Sequence, residues 1–355
     1  MSTLPTVGHE RRLAIRSVGM VCPVGLDAAS GCAAIRARIS RFEEVPFHDG
    51  AWQPIVGSPV PEIAPNRQGW RRLAPLLTRA VLDCLEPAGA PTLTAGGALP
   101  LLIAIDDPER PDFPEDLPAR LVAEVRVTLG KRISDSPEVL AEGPCSFFRA
   151  LDRARQVVAA GGGAGCLVAA VDSLLNGRAL ARLEEQGRLL TERNSDGVIP
   201  GEAAAAVWVT PADGCSAALA EVVGIGFGEE LSALEEDRPN VAMGMAQAMR
   251  QALADANLTL PEIDFRVGGM TGEQATFGEA STALARIQRV HKEQFELWGP
   301  AEILGDVGAA LTACMTVVTA VGIAKGYAPG RRALLYAFAP SAARSACVIS
   351  APGGS

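Results

Sequence analysis

An α/β layered fold in two similar halves is what this sequence predicts, and three observations predict it. Short apolar runs of strand character alternate with longer runs of helical spacing along the whole chain. The alternation pauses at Pro211-Ala-Asp-Gly214 and then begins again. The stretch from Val307 to Ala324 is almost uncharged and rich in Ala, Thr and Gly, the composition of a helix packed between sheets.

Taken in order, Leu13–Val21 reads as a strand, and Ala28–Ile39 as a helix after Gly25 and Asp27. Trp70–Leu85 carries apolar residues at helical spacing, and Leu99–Ile105 is a short buried strand. Asp116–Leu129 and Ser146–Ala160 read as helices, and Cys166–Val171 and Ala203–Val209 as strands. After the pause, Leu219–Gly226 and Ile263–Val267 read as strands, and Val241–Ala254 and Ala280–Val290 as helices. Val307–Lys325 is a long apolar helix, and Arg332–Phe338 and Ser345–Ile349 are closing strands. The Pro-rich segments 44–69 and 106–115 read as surface loops. The repeated grammar implies a duplication, with halves at 1–213 and 214–355.

Composition narrows the function. A chain of 355 residues, 48% hydrophobic and 21% charged, can bury a large core. Its net charge of −9 argues against nucleic-acid binding, which needs Lys and Arg to neutralise phosphates. The N-terminal residues MSTLPTVGHERRLAIRS hold no apolar signal core, so a cytoplasmic protein is expected. The apolar run ending at Lys325 is too short and too mildly apolar for a membrane span. Eight cysteines (22, 32, 84, 145, 166, 215, 314 and 347) are scattered without CxxC pairs, as reduced core cysteines are. With only His9, His48 and His291 besides, neither zinc nor another cofactor is expected.

Four ordered stretches resemble the β-ketoacyl synthases of the thiolase superfamily. Ile15-Arg-Ser-Val-Gly-Met-Val-Cys-Pro-Val-Gly25 is similar to that family's opening strand and turn. Gly143-Pro-Cys145-Ser-Phe-Phe, with Cys166-Leu-Val-Ala-Ala-Val-Asp172 beyond it, resembles the nucleophile elbow, its helix and the next strand. Asn194-Ser-Asp-Gly197-Val-Ile-Pro-Gly201-Glu202-Ala-Ala resembles the family's DGFxxGEGAAA segment. Gly305-Asp306-Val-Gly308-Ala-Ala310 stands where the family has GHxxGAA. The resemblance implies a thiolase-like fold of duplicated αβαβα halves.

It also implies where chemistry would sit. Cys145 occupies the nucleophile position at a strand-to-helix turn, where helix amides stabilise a thiolate, although Glu142 nearby opposes one. The family's two histidines polarise the incoming thioester and stabilise the enolate. Here Gly269, in Gly269-Met-Thr271-Gly-Glu273, stands at the first position and Asp306 at the second, with Ala301 near the lysine position. An aspartate would repel an enolate to which a neutral imidazole donates. The closing glycine loop is replaced by Tyr336-Ala-Phe338-Ala-Pro340, which lacks the backbone freedom that brings that loop close to a thioester. Standard condensation is therefore not expected.

The residues left over carry two readings each. Gly201 and Glu202 belong either to a pocket or to a structural Glu–Arg or Glu–backbone pair, the second being favoured. Thr271, Glu273 and Gln274 form a polar loop where a pocket lip would be, either a partner contact or a plain loop. Asp306 precedes an apolar helix and is expected to cap it.

The segments Asn194–Ala206, Gly272-Glu273-Gln274, Leu297–Ala310 and Lys325-Gly-Tyr-Ala-Pro-Gly330 resemble a divergent branch of synthase-like proteins. Its members tend to be encoded beside type VI secretion spike and effector genes. That implies a non-catalytic binding or adaptor protein for effector loading, with a secretion effector or an acyl carrier protein as partner. Two alternatives stand beside it: a Cys145-dependent acyl-thioester transferase or hydrolase, and an inactive subunit paired with an active synthase. A homodimer is expected through Gly165–Leu174, the counterpart of a strand that pairs between family subunits.

Overall fold

The computed structural model describes residues 12–86, 97–110, 113–160, 165–212, 217–233 and 239–353. In chain order the first half holds β1 (Leu13–Val21), α1 (Ala28–Arg36), β2 (Glu43–His48), β3 (Pro54–Gly57), α2 (Trp70–Leu85) and β4 (Leu101–Ile105). It continues with α3 (Leu117–Leu129), β5 (Glu138–Ala141), α4 (Ser146–Ala160), β6 (Cys166–Ser173), α5 (Gly177–Glu185) and β7 (Glu202–Pro211). The second half holds β8 (Ala220–Glu229), α6 (Met243–Asp255), β9 (Phe265–Gly268), α7 (Gln274–Ile287) and β10 (Leu297–Trp298). After them come α8 (Ala301–Leu304), α9 (Leu311–Ala324), β11 (Arg332–Phe338) and β12 (Ala343–Ser350).

The sheet order is β10-β9-β11-β12-β8-β1-β7-β6-β4-β5. The two flanks repeat one pattern. In each, the first strand and the long strand beside it are antiparallel, the next pair is antiparallel, and the outer two pairs are parallel. A duplicated half meets its copy through β1 and β8, where Leu13–Ile15 pair with Ala220–Val222.

Alternation of side chains then stacks the layers. In β6, Leu167, Ala169 and Val171 face α2 and α3, while Cys166, Val168 and Ala170 face a core shared with α4 and α9. In β11, Ala333 and Leu335 face that shared core and Leu334 and Tyr336 face α6 and α7. The result is αβαβα, with α4 and α9 in the middle. Helix α9 is buried on every side over most of its length. Two glycines show why strand and helix lie so close in both halves. A Cβ at Gly19 would stand 2.0 Å from the Ala80 carbonyl of α2, and one at Gly226 would stand 2.1 Å from the Ala248 carbonyl of α6.

Several expectations need correction. Segment 44–69 is not all loop: β2 and β3 form a hairpin whose Val45 and Ile55 pack with Leu175, Leu180 and Leu183. Helix α7 begins at Gln274, six residues before the expected start, and α9 begins at Leu311 after a 3-10 turn at Gly308–Ala310. The dimer contact placed on Gly165–Leu174 fails on position. Strand β6 is hydrogen-bonded to β4 on one edge and β7 on the other, and all eight of its residues are buried. The halves' expected boundary at 213–214, His9 and Cys215 lie outside the described residues. Among the described residues no helix is long and apolar enough to cross a membrane.

Candidate functional site

The carboxyl ends of the parallel strands gather one cavity, as open parallel sheets do. It encloses about 210 Å³ and draws on both halves. Asp106 follows β4, Gly269 follows β9, and Leu174 and Phe338 stand at the ends of β6 and β11. Thr271, Glu273 and Asp306 complete the set from the second half.

The loops of the two halves are laced together around this space. Gly201 N donates to Asp306 O at 2.8 Å and Asp306 N donates to Ile199 O at 2.8 Å. Gln274 N donates to an Asp196 carboxylate oxygen at 2.7 Å. Arg188 grips Glu273 with two bonds, Nε–H to Oε1 at 2.7 Å and Nη2–H to Oε2 at 2.8 Å. On the opposite wall Arg344 holds both oxygens of Glu279, and Asn240 donates to Glu279 Oε2 at 2.7 Å. Arg344 Nη1 also donates to the carbonyls of Ala339, Ser341 and Ala343, bracing the turn between β11 and β12.

Asp306 is 8% exposed. Burial pushes its carboxyl above the usual carboxylate range, and the Arg188 guanidinium pulls it partly back. One of its oxygens accepts Gly308 N at 2.9 Å. It therefore holds the first amide of the 3-10 turn ahead of α9 without being the cap of either: the N-cap of the turn is Val307 and that of α9 is Ala310.

Cys145 does not open into the cavity; its neighbour Pro144 does. The thiol closes a 3-10 turn, Gly143-Pro-Cys145, that runs into α4, with Gly143 at φ +64°. It is 1% exposed, and burial pushes it up to about 11 despite the nearby Ser345 hydroxyl and Arg344 guanidinium. Its Sγ–H donates to the Ala337 carbonyl at 3.9 Å. An acceptor there can bond only the protonated thiol and so disfavours the thiolate. Glu142 is half-exposed and ion-paired with Arg149 at 3.0 Å.

Of the predicted residues, Gly269, Thr271, Glu273, Asp306 and Phe338 meet at this cavity. Gln274 opens α7, Ala301 is buried in α8, and neither lines it. Gly201 and Glu202 do not line it either. Glu202 is fully buried and accepts from Arg72 Nε and Nη2, from Val60 N at 2.9 Å and from Ser173 Oγ at 2.8 Å. His48 lies on the β2–β3 hairpin and His291 is exposed, so no described histidine lines the cavity. Arg188, Arg344, Glu279, Asn240 and Asp106 were not singled out from sequence. Only Asp106 carried a signal, a carboxylate directly after a buried strand.

No family model matches the chain, and no curated protein matches it. Solved structures do. A ketosynthase/chain length factor described for ishigamide superposes with a TM-score of 0.77 at 18% identity, over 97% of this chain and 100% of the other. A chain from a complex of a type II polyketide acyl-carrier protein with its ketosynthase gives 0.76 at 16%, covering 96% and 99%. A β-ketoacyl synthase from Burkholderia phymatum gives 0.72 at 16%, covering 96% and 99%. The chain thus has the thiolase-like fold of ketosynthases. At these identities the likeness shows the fold alone.

Proposed function

We propose that this protein is a non-condensing relative of the ketosynthases that keeps their fold as a binding platform. One observation carries the reading. The cavity at the strand ends holds a buried carboxylate, Asp306, beside the Arg188–Glu273 pair where condensation calls for neutral imidazole donors. The buried thiol of Cys145 with its raised pKa agrees with it. The test is decarboxylation: incubating the protein with a malonyl thioester and measuring carbon dioxide. No release above buffer is expected; release above buffer would overturn the reading, because decarboxylation needs an enolate-stabilising donor at these positions and not the thiol.

The partner is a protein in this proposal. The sequence resemblance suggests a secretion effector or its adaptor, met in the cytoplasm, and pull-down from the native host tests that. A second reading, an inactive subunit beside an active synthase, is favoured by the ketosynthase/chain length factor among the structural neighbours. Pull-down of self alone would count against it. For self-association, strand β5 offers an edge with no strand partner among the described residues; light scattering showing a monomer would remove that expectation.

A further inference from the structure

A second cavity of about 580 Å³ lies on the first half, and it shares Asp106 with the smaller one. Its walls are aromatic: Phe47 from the hairpin, Trp70 from α2 and Phe113 from the loop after β4. Its floor is charged but settled. Arg110, nine-tenths buried, is ion-paired with Asp106 and stands 3.9 Å from Asp172. The oxygens of Asp172 in turn accept Ser173 N at 2.7 Å and Ala309 N at 3.0 Å. Arg72, also on the wall, is neutralised by Glu202.

The mouth is different. Arg71 and Arg178 stand exposed there, and among the described residues no acidic side chain forms a salt bridge with either. The Arg71 guanidinium lies over the Trp70 ring, 4.6 Å from its centre, and Arg120 lies over the same ring at 5.9 Å, so Trp70 holds the arginine in place and leaves Phe47 and Phe113 as the aromatic walls. The first turns of α2 and α5, at Gly69–Arg71 and Asn176–Arg178, open onto the same space and add their partial positive charge. The mouth is thus locally basic on a chain of net charge −9.

We propose that this cavity binds a small aromatic anion, its flat ring against Phe47 and Phe113 and its acidic group between Arg71 and Arg178. Stacking and guanidinium pairing together recognise that chemistry, whereas either alone recognises only half of it. The site meets the cavity of Asp306 at Asp106 but does not depend on the non-condensing reading.

The experiment is calorimetric titration of the full chain with three probes: 2-naphthalenesulfonate, the uncharged 2-naphthalenemethanol, and inorganic sulfate. The naphthalenesulfonate should bind with one-to-one stoichiometry, and the other two at least tenfold more weakly. Arg71→Ala with Arg178→Ala should weaken naphthalenesulfonate at least tenfold at an unchanged melting temperature. Arg178→Gln alone, a surface change, serves if the double variant is less stable. No binding of naphthalenesulfonate, equal binding of the uncharged probe, or equal binding by the variants would each overturn the proposal.

Discussion

Replacing Glu202 by Gln would leave the Arg72 guanidinium inside the protein without its counter-charge. The arginine side chain is 5% exposed and the glutamate 0%, so water cannot take over. Arg72 would keep only the carbonyls of Ala64 at 3.1 Å and Arg67 at 3.4 Å. Val60 N and Ser173 Oγ would also face a weaker acceptor. Breaking a buried pair from one side costs about 3–5 kcal/mol. With a urea slope of about 3 kcal/mol/M, the unfolding midpoint should fall by on the order of 1 M. Removing both charges, as in Arg72→Met with Glu202→Leu, should restore most of that loss, because no unpaired ion remains. Equilibrium urea unfolding of the three proteins gives the comparison. A Glu202→Gln protein within about 1 kcal/mol of the parent, or a double variant no better than the single, would refute the pairing as the reason for a glutamate here.

Two further outcomes follow from the cavity. Cys145, raised from 9.0 to about 11, should be alkylated by iodoacetamide roughly a hundredfold more slowly at neutral pH than an ordinary thiol, on its thiolate fraction alone. Peptide mapping by mass spectrometry reads the rate, and a plateau below pH 8 would contradict the assignment. Asp306 has its folded pKa raised by burial, so its contribution to stability is complete below its unfolded value of 3.8 and is lost as pH climbs through the raised value. Parent stability minus that of Asp306→Asn should therefore fall with rising pH and then level off; a difference that rises instead would reverse the sign assigned to this carboxylate.

The alternation of apolar runs was enough for most of the sheet, since each central strand is buried on both faces and reads as a continuous apolar segment. It was not enough for β2 and β3. Their sequence carries Pro46 and Pro54, and their burial depends on Leu175 and Leu180, more than a hundred residues away. Helix α5 has only a faint signature in the sequence although Asn176 caps it, because its apolar side is just Ala179, Leu180 and Leu183. At the site, Gly269 and Asp306 were legible because a local motif frames each. Arg188 and Arg344 were not. Their meaning comes from Glu273 and Glu279, 85 and 65 residues along the chain, and a long-range ion pair leaves no local pattern. The dimer contact was misplaced for a related reason: strand order in a sheet, which makes β6 interior, is a property of the whole topology.

The central claim, that this ketosynthase fold has given up covalent acyl chemistry at Cys145, is tested most directly by intact-protein mass spectrometry after incubation with an acyl-thioester donor. The account predicts an unchanged mass, since the thiol is buried, its pKa is about 11, and it faces the Ala337 carbonyl. A stoichiometric acyl adduct that maps to Cys145 and disappears in Cys145→Ala would contradict it.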